Sequence, residues 1–207
     1  MAPATPSSSP SGTRSTRRTG TNRDPHRGDT KRRIVDAAER LVVRDGVGHL
    51  TLEAAAAEAD LSKGGVLYHF GTRDALVTAM VTRIIEEFEE DVDSHLPDPD
   101  TDAASRPGAY SRAYLRASLE PSSPGEERLG AALLAAAAAE PALLLPLQEA
   151  AAVWQARISD DGLDPATATL VRLACDGLWL CGLFGLAVPD RKLVRSVGER
   201  LEALVTP

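Results

Sequence analysis

The sequence predicts an all-α protein, and three observations lead there. Apolar residues recur at steps of three and four along most of the chain, as in Ile34, Ala37, Ala38, Leu41 and Val42, which places them on one helix face. No stretch alternates apolar and polar residues at the two-residue period of a half-buried strand. Helix punctuation also recurs: Ser, Thr or Asp stands ahead of periodic runs, and Pro124, Pro141 and Pro165 open three of them.

Residues 1–28 come first. They are rich in Ser, Thr, Pro, Gly and Arg and nearly devoid of apolar side chains. Such a segment cannot bury enough surface to offset its ordering entropy, so it is expected to be a disordered basic tail. Arg14, Arg17, Arg18, Arg23 and Arg27 give it positive charge. It reads equally as a solvated tail or as an arm that touches a polyanion.

Structure is expected from Asp29 or Thr30, either of which can cap a helix, with Gly46 as its stop. "TLEAAAAEA" reads as a second helix capped by Thr51, "DLS" as a turn, and "KGGVLYHF" as a short third helix capped by Ser62. A long helix over about 73–94 carries Leu76, Val77, Met80, Ile84 and Phe88 on one side. Residues 97–107 form a loop. Beyond it the pattern gives helices over roughly 108–119, 124–139, 141–159, 165–188 and 191–205, with Pro146 kinking or restarting the third of these. The total is about nine helices.

Composition narrows the class. Of 207 residues, 43% are hydrophobic and 26% charged, an ordinary globular balance. No uninterrupted apolar run reaches the ~18–20 residues of a membrane span, so no membrane partner is expected. The formal net charge of -7 is unevenly spread. Residues 1–80 hold 12 Lys+Arg against 9 Asp+Glu, and residues 81–207 hold 11 against 21. A basic front on an acidic body implies that the front meets a polyanion. Cys175 and Cys181 have neither metal-ligand nor disulfide-framework spacing and read as reduced core or pocket residues, with redox sensing as the sharper alternative. No metal or cofactor is expected. His26, His49, His69 and His95 pair with no carboxylate at metal spacing, and no glycine-rich loop follows a strand, so an enzyme is not expected.

The segment 51–70 raises a specific question. "LSKGGVLYHF" puts two glycines inside a short helix, where each costs about 1 kcal/mol against alanine. A helix-turn-helix that reads DNA answers it. The N-terminal end of a recognition helix lies against base edges and phosphates, and glycine lets backbone approach closely. Ala56 is small where the two helices meet, Leu61 pins the turn, and Val66 and Phe70 point inward. Lys63, Gly64, Gly65, Tyr68 and His69 are left toward solvent or a groove. Lys63 suits guanine or phosphate, Tyr68 and His69 suit phosphate oxygens, and Arg73 is a further phosphate partner. The alternative is a glycine-containing loop with a surface Tyr-His pair.

"TLEAAAAEADLSKGGVLYHFGTRDAL" resembles the signature of the tetracycline-repressor (TetR) family of bacterial regulators, over about residues 31–80. The resemblance implies that Thr51, Ser62, Tyr68, His69 and Arg73 contact phosphates and that Lys63, Gly64 and Gly65 face bases. Asp60 stands where the family usually has a turn glycine, Ala55 replaces a larger aliphatic, Leu67 occupies the usual tyrosine position, and Gly65 replaces a residue that often reads bases. Asp tolerates the left-handed turn conformation better than most residues.

The resemblance further implies a domain division: a DNA-binding unit over 29–75 and a helical ligand-binding and dimerisation body over 76–207. It implies a cytoplasmic bacterial repressor that binds a palindromic operator as a homodimer through its last two helices and is released by a small molecule. A constitutive DNA-binding regulator without an effector is the other reading. The scarce aromatics mark the effector site: Phe88, Tyr110, Tyr114, Trp154, Trp179 and Phe184, with Asp176 as acidic anchor. An acid beside aromatics suits a cationic or aromatic ligand. The alternative is that these rings fill the core and Asp176 meets an arginine such as Arg172.

Overall fold

The computed structural model describes residues 25–102 and 106–206, and among them it contains helices and no strands. The basic tail expected over 1–28 lies almost wholly outside the described residues. Nine α-helices run in the order α1 (Pro25–Asp45), α2 (Leu52–Glu58), α3 (Lys63–His69), α4 (Arg73–Ser94), α5 (Ala109–Ser118), α6 (Pro124–Ala139), α7 (Leu145–Ser159), α8 (Pro165–Phe184) and α9 (Arg191–Leu204). Two short 3-10 turns, Val47–His49 and Pro141–Leu144, complete the order.

Local signals fix most helix starts. Thr51 accepts from the Ala54 amide at 3.0 Å, Ser62 from Gly65 at 3.1 Å, and Thr72 from Ala75 at 3.0 Å. Each cap satisfies an amide that the first turn leaves without a helical partner. Gly46, at φ 85°, ends α1 as expected, and Asp60 sits in the left-handed region at φ 53°.

Two boundaries differ from the sequence reading. Helix α1 begins at Pro25, ahead of Asp29 and Thr30, because Pro is well placed in a first turn. The helix over 141–159 restarts at Pro146 as expected, with a 3-10 turn over Pro141–Leu144 leading into α7 and Pro146 in its first turn. Helix α8 stops at Phe184 rather than 188: Gly185 is left-handed at φ 61°, and the Leu186 amide donates back to Cys181 O at 3.0 Å. Helix α5 has no cap of its own. The Asp161 carboxylate accepts from the Tyr110 and Ser111 amides at 3.1 and 2.7 Å from across the fold.

The core is continuous across both halves. In the front unit Ile34, Ala37, Leu41, Ala55, Ala56, Val66 and Phe70 are buried together. Helix α4 carries this core into the body, burying Leu76, Val77 and Met80 near its start and Ile85 and Val92 further on. In the body α4 packs on α5 and α7, and α8 packs on α5, α6, α7 and α9. Helix α9 closes on α5, where Arg112 donates to Val205 O at 2.6 Å and Arg116 pairs with Glu202 at 2.5 Å.

Helix α8 corrects one expectation. At 20 residues with a mean hydropathy of 1.3 over its best window, it is long and apolar enough to cross a membrane. The run-length reading missed this because Arg172 and Asp176 interrupt the apolar stretch. Its inner face, with Ala168, Val171 and Cys175, is buried in the body. Its outer face exposes Leu170, Leu173, Leu180 and Phe184. The body therefore covers one side of α8, not both. Likewise α9 buries Leu201 and Val205 but exposes Leu193 and Leu204, so its apolar residues divide between two faces.

Candidate DNA interface and effector site

Helices α2 and α3 form a helix-turn-helix. Val66 and Phe70 hold α3 against the front core, so its opposite face is fixed outward. That face presents Ser62, Lys63, Gly64 and Tyr68, with Tyr68 67% exposed and Gly65 and His69 half-buried beside them. Tyr68 and His69 pack edge to face at 5.2 Å. A Cβ placed on Gly64 or Gly65 would meet only Ser62 Oγ, at 3.9 and 3.4 Å. The fold itself therefore gives no packing reason for either glycine.

The other expected DNA residues are partly occupied. Thr51 and Ser62 use an oxygen lone pair to cap α2 and α3, and a hydroxyl that accepts can still donate its proton to a phosphate. Lys63 pairs with Glu53, both largely exposed, and the lysine holds the Glu53 carboxyl below its ordinary range. Such a surface pair is weak and exchanges readily. Arg73 is more committed: Nε and Nη2 donate to Leu50 O and Val47 O at 3.1 and 3.0 Å, and Nη1 pairs with Asp74 at 3.3 Å. It clips the start of α4 to the α1–α2 connection.

The front unit and the body also meet through charge. On α4, Arg83 pairs with Asp36 of α1, with Glu39 of α1 at 3.6 Å, and with Glu87 at 2.9 Å. Burial pushes the Glu39 carboxyl up from 4.5 to about 7. Nothing local signals this junction, because its partners lie more than forty positions apart.

In the body, α4, α5 and α7 bring four of the expected rings together. Phe88 packs edge to face on Tyr114 and Trp154, each at 5.1 Å, and Tyr110 lies 6.5 Å from Tyr114. Asp176 joins them from α8, accepting from the Tyr114 hydroxyl at 2.8 Å. Burial, reinforced by the Asp176 charge, pushes the Tyr114 phenol up, so it remains a donor. Asp176 also meets Arg172 at 2.5 Å, the partner that the alternative reading named. The ring contacts do not extend to Trp179 or Phe184. Trp179 stands one turn further along α8 and is 38% exposed, and Phe184 lies on the outer face. Polar residues not singled out in the sequence frame the rings. Glu89 accepts from Trp154 Nε1 at 3.0 Å, the Arg157 guanidinium lies 3.9 Å over Tyr110, and Gln155 accepts from Arg172 Nε at 2.7 Å. Only the i,i+4 spacing of Arg172 and Asp176 was legible beforehand. Cys175 is buried and its thiol is pushed up to about 11, which makes it unreactive.

Comparison with known proteins agrees with this architecture. Residues 34–80 match the family described as bacterial regulatory proteins, tetR family, and residues 108–206 match the tetracyclin repressor-like C-terminal domain. Among solved structures, SCO1917 from Streptomyces coelicolor A3, described as a member of the TetR family, is 32% identical over 84% of this chain and 98% of its own, with a TM-score of 0.64. The multidrug binding protein EbrR in complex with malachite green is 31% identical over 86% and 98% of the two chains, with a TM-score of 0.61. EbrR with ethidium is 33% identical over 86% and 99%, also at 0.61. No curated protein matched. The chain belongs to the TetR family of bacterial DNA-binding transcriptional regulators. Its front unit is the family's helix-turn-helix, and its body corresponds to the C-terminal domain.

Proposed function

We propose that this protein is a cytoplasmic bacterial repressor that binds an inverted-repeat operator as a homodimer and is released by a cationic aromatic effector. The observation that carries the DNA half is the outward face of α3: two glycines where an added Cβ would touch only Ser62 Oγ, flanked by Lys63, Tyr68 and His69. Lys63, Gly64 and Gly65 approach the bases. Thr51, Ser62, Tyr68 and His69 hold phosphates, and Arg73 contributes through the stability of the clip or by exchanging partners. The DNA-binding unit extends over 29–75 and the effector and dimer body over 76–207. The uncovered apolar face of α8, together with α9, forms the two-fold interface as a four-helix bundle.

For the effector, malachite green and ethidium are both aromatic cations, and EbrR binds both. Here Phe88, Tyr110, Tyr114 and Trp154 supply π faces and edges, while Asp176 and Glu89 supply negative charge on either side. The rings touch α4, α5 and α7 together, so a ligand that parts them shifts α4. That helix is continuous with the first contacts of the DNA unit. An effector works only through unequal affinity for the two arrangements.

The test is selection of binding sites from random duplex DNA with the full chain, and with Gly65→Glu as control. Enrichment of an inverted repeat that the control loses and salt weakens is the expected result. Salt-sensitive binding without an enriched sequence would contradict the reading. Ethidium titrated against the selected duplex should release the protein at concentrations that leave the Asp176→Asn variant bound, because intercalation into the duplex alone would release both alike. Unchanged DNA affinity at saturating ethidium would remove the effector half and leave constitutive binding.

A further inference from the structure

Asp176 is the acid best placed to meet a cation among the rings, yet both of its oxygens are already used. Oδ1 accepts from the Tyr114 hydroxyl at 2.8 Å, and Oδ2 from Arg172 Nη1 at 2.5 Å. Arg172 lies one turn away on the same helix, so this pair ties no two elements together. What fixes the guanidinium is α7: Nε donates to Gln155 Oε1 at 2.7 Å, and Gln155 Nε2 donates in turn to Ser159 and Thr169, each at 2.9 Å. The Asp176 side chain is 33% exposed and that of Arg172 17%. The carboxylate is therefore the more open of the two, although it is neutralised by a partner beneath the surface.

We propose that Arg172 is the specificity-determining residue of the effector site, a built-in cation that a cationic effector must displace from Asp176. This rests on the effector class given above. With Arg172 in place the Asp176 charge is cancelled, and the ring cluster meets an incoming cation with little net attraction on that side. With Arg172 swung away, the carboxylate and the Tyr114 hydroxyl together present one negative site against aromatic edges. Affinity for cations is thus held down by an internal competitor, in the way that a minority binding-competent state lowers apparent affinity. The Gln155 hydrogen bond sets how readily the competitor leaves. An anionic aromatic meets the opposite situation, since Arg172 then serves as its partner.

The experiment measures ethidium fluorescence and anilinonaphthalene sulfonate fluorescence on the full chain and on Arg172→Gln, Gln155→Leu and Asp176→Asn. Removing the competitor should tighten ethidium by about tenfold, one decade on the affinity scale, and weaken the sulfonate. Gln155→Leu should tighten ethidium by roughly threefold, because it frees Arg172 without removing a charge, and it carries the test if Arg172→Gln does not fold. Asp176→Asn should weaken ethidium. Ethidium binding that is unchanged or weaker in both Arg172→Gln and Gln155→Leu, while Asp176→Asn still weakens it, overturns the role of Arg172 and leaves the effector class standing. No saturable ethidium binding in any variant overturns the effector class and this inference with it.

Discussion

In α3, a Cβ added at Gly65 would touch only Ser62 Oγ, at 3.4 Å; in α9, one added at Gly198 would come within 2.6 Å of Leu119 Cδ1. Both glycines stand inside helices, where glycine is costly. At Gly198 the body favours it, since a side chain there would have to push Leu119, at the end of α5, aside. At Gly65 nothing in the chain requires it. A cost with no internal return points to an external partner, and in the family to which this chain belongs that partner is DNA. Helix α8 presents the reverse case. It adds apolar side chains where the chain offers nothing to cover them, with Leu173 54% exposed. The front unit prepares for a close polar partner by removing atoms, and the body prepares for an apolar one by adding them.

The comparison can be broken at its strongest point on α8. Leu173→Glu places a charge in the proposed two-fold interface, where burying it unpaired costs several kcal/mol, so the dimer should weaken by about 100-fold or more. Sedimentation velocity over a concentration series reads this. A dimer that persists would move the interface elsewhere.

Gly198→Ala sharpens the contrast between the two glycines. Leu119 must shift to admit the new methyl, and the overpacking cost of about 1–3 kcal/mol, less the helix-propensity gain of up to about 1 kcal/mol, leaves a net loss of up to about 2 kcal/mol. Urea denaturation should show that loss, whereas Gly65→Ala should gain up to about 1 kcal/mol from helix propensity. Opposite signs at the two sites are the signature to look for.

The smallest effect lies at the junction of the two regions. Glu39 is held up to about 7 by burial, against 4.5 ordinarily, so the folded chain keeps a proton that the unfolded chain has released. Its contribution to stability is intact below about pH 4.5, falls as pH rises, and is lost above about pH 7. Glu39→Gln removes that dependence. It should stabilise the protein at pH 8 by on the order of 1 kcal/mol and change little at pH 4.5, as thermal midpoints at the two pH values would show.

What the sequence revealed follows from the range of the forces involved. Thr51 and Ser62 cap the helices that follow them, each through the amide three residues on, so their spacing was readable, and the helix-turn-helix with it. The ring cluster was readable in part, because Phe88, Tyr114 and Trp154 are scarce residue types on helices that must pack. Trp179 and Phe184 separate from it because position along α8 and the face presented decide contact, and neither is visible in composition. Asp161 capping α5, Gln155 holding Arg172 and Arg83 meeting Asp36 are contacts between elements. Nothing local to any of these residues signals its partner. Arg73 illustrates the same limit: its place in the motif suits a phosphate contact, yet its guanidinium serves the Val47 and Leu50 carbonyls.

The most direct measurement pairs two numbers for Gly65→Glu: affinity for the selected inverted repeat at fixed salt, and the thermal midpoint of the free protein. Affinity should fall by about 100-fold or more, from a negative charge and added bulk set at the DNA surface, with a midpoint equal to or above that of the parent. Undiminished affinity would contradict this. So would a loss of affinity accompanied by a collapsed midpoint, which would mean that Gly65 serves the fold after all.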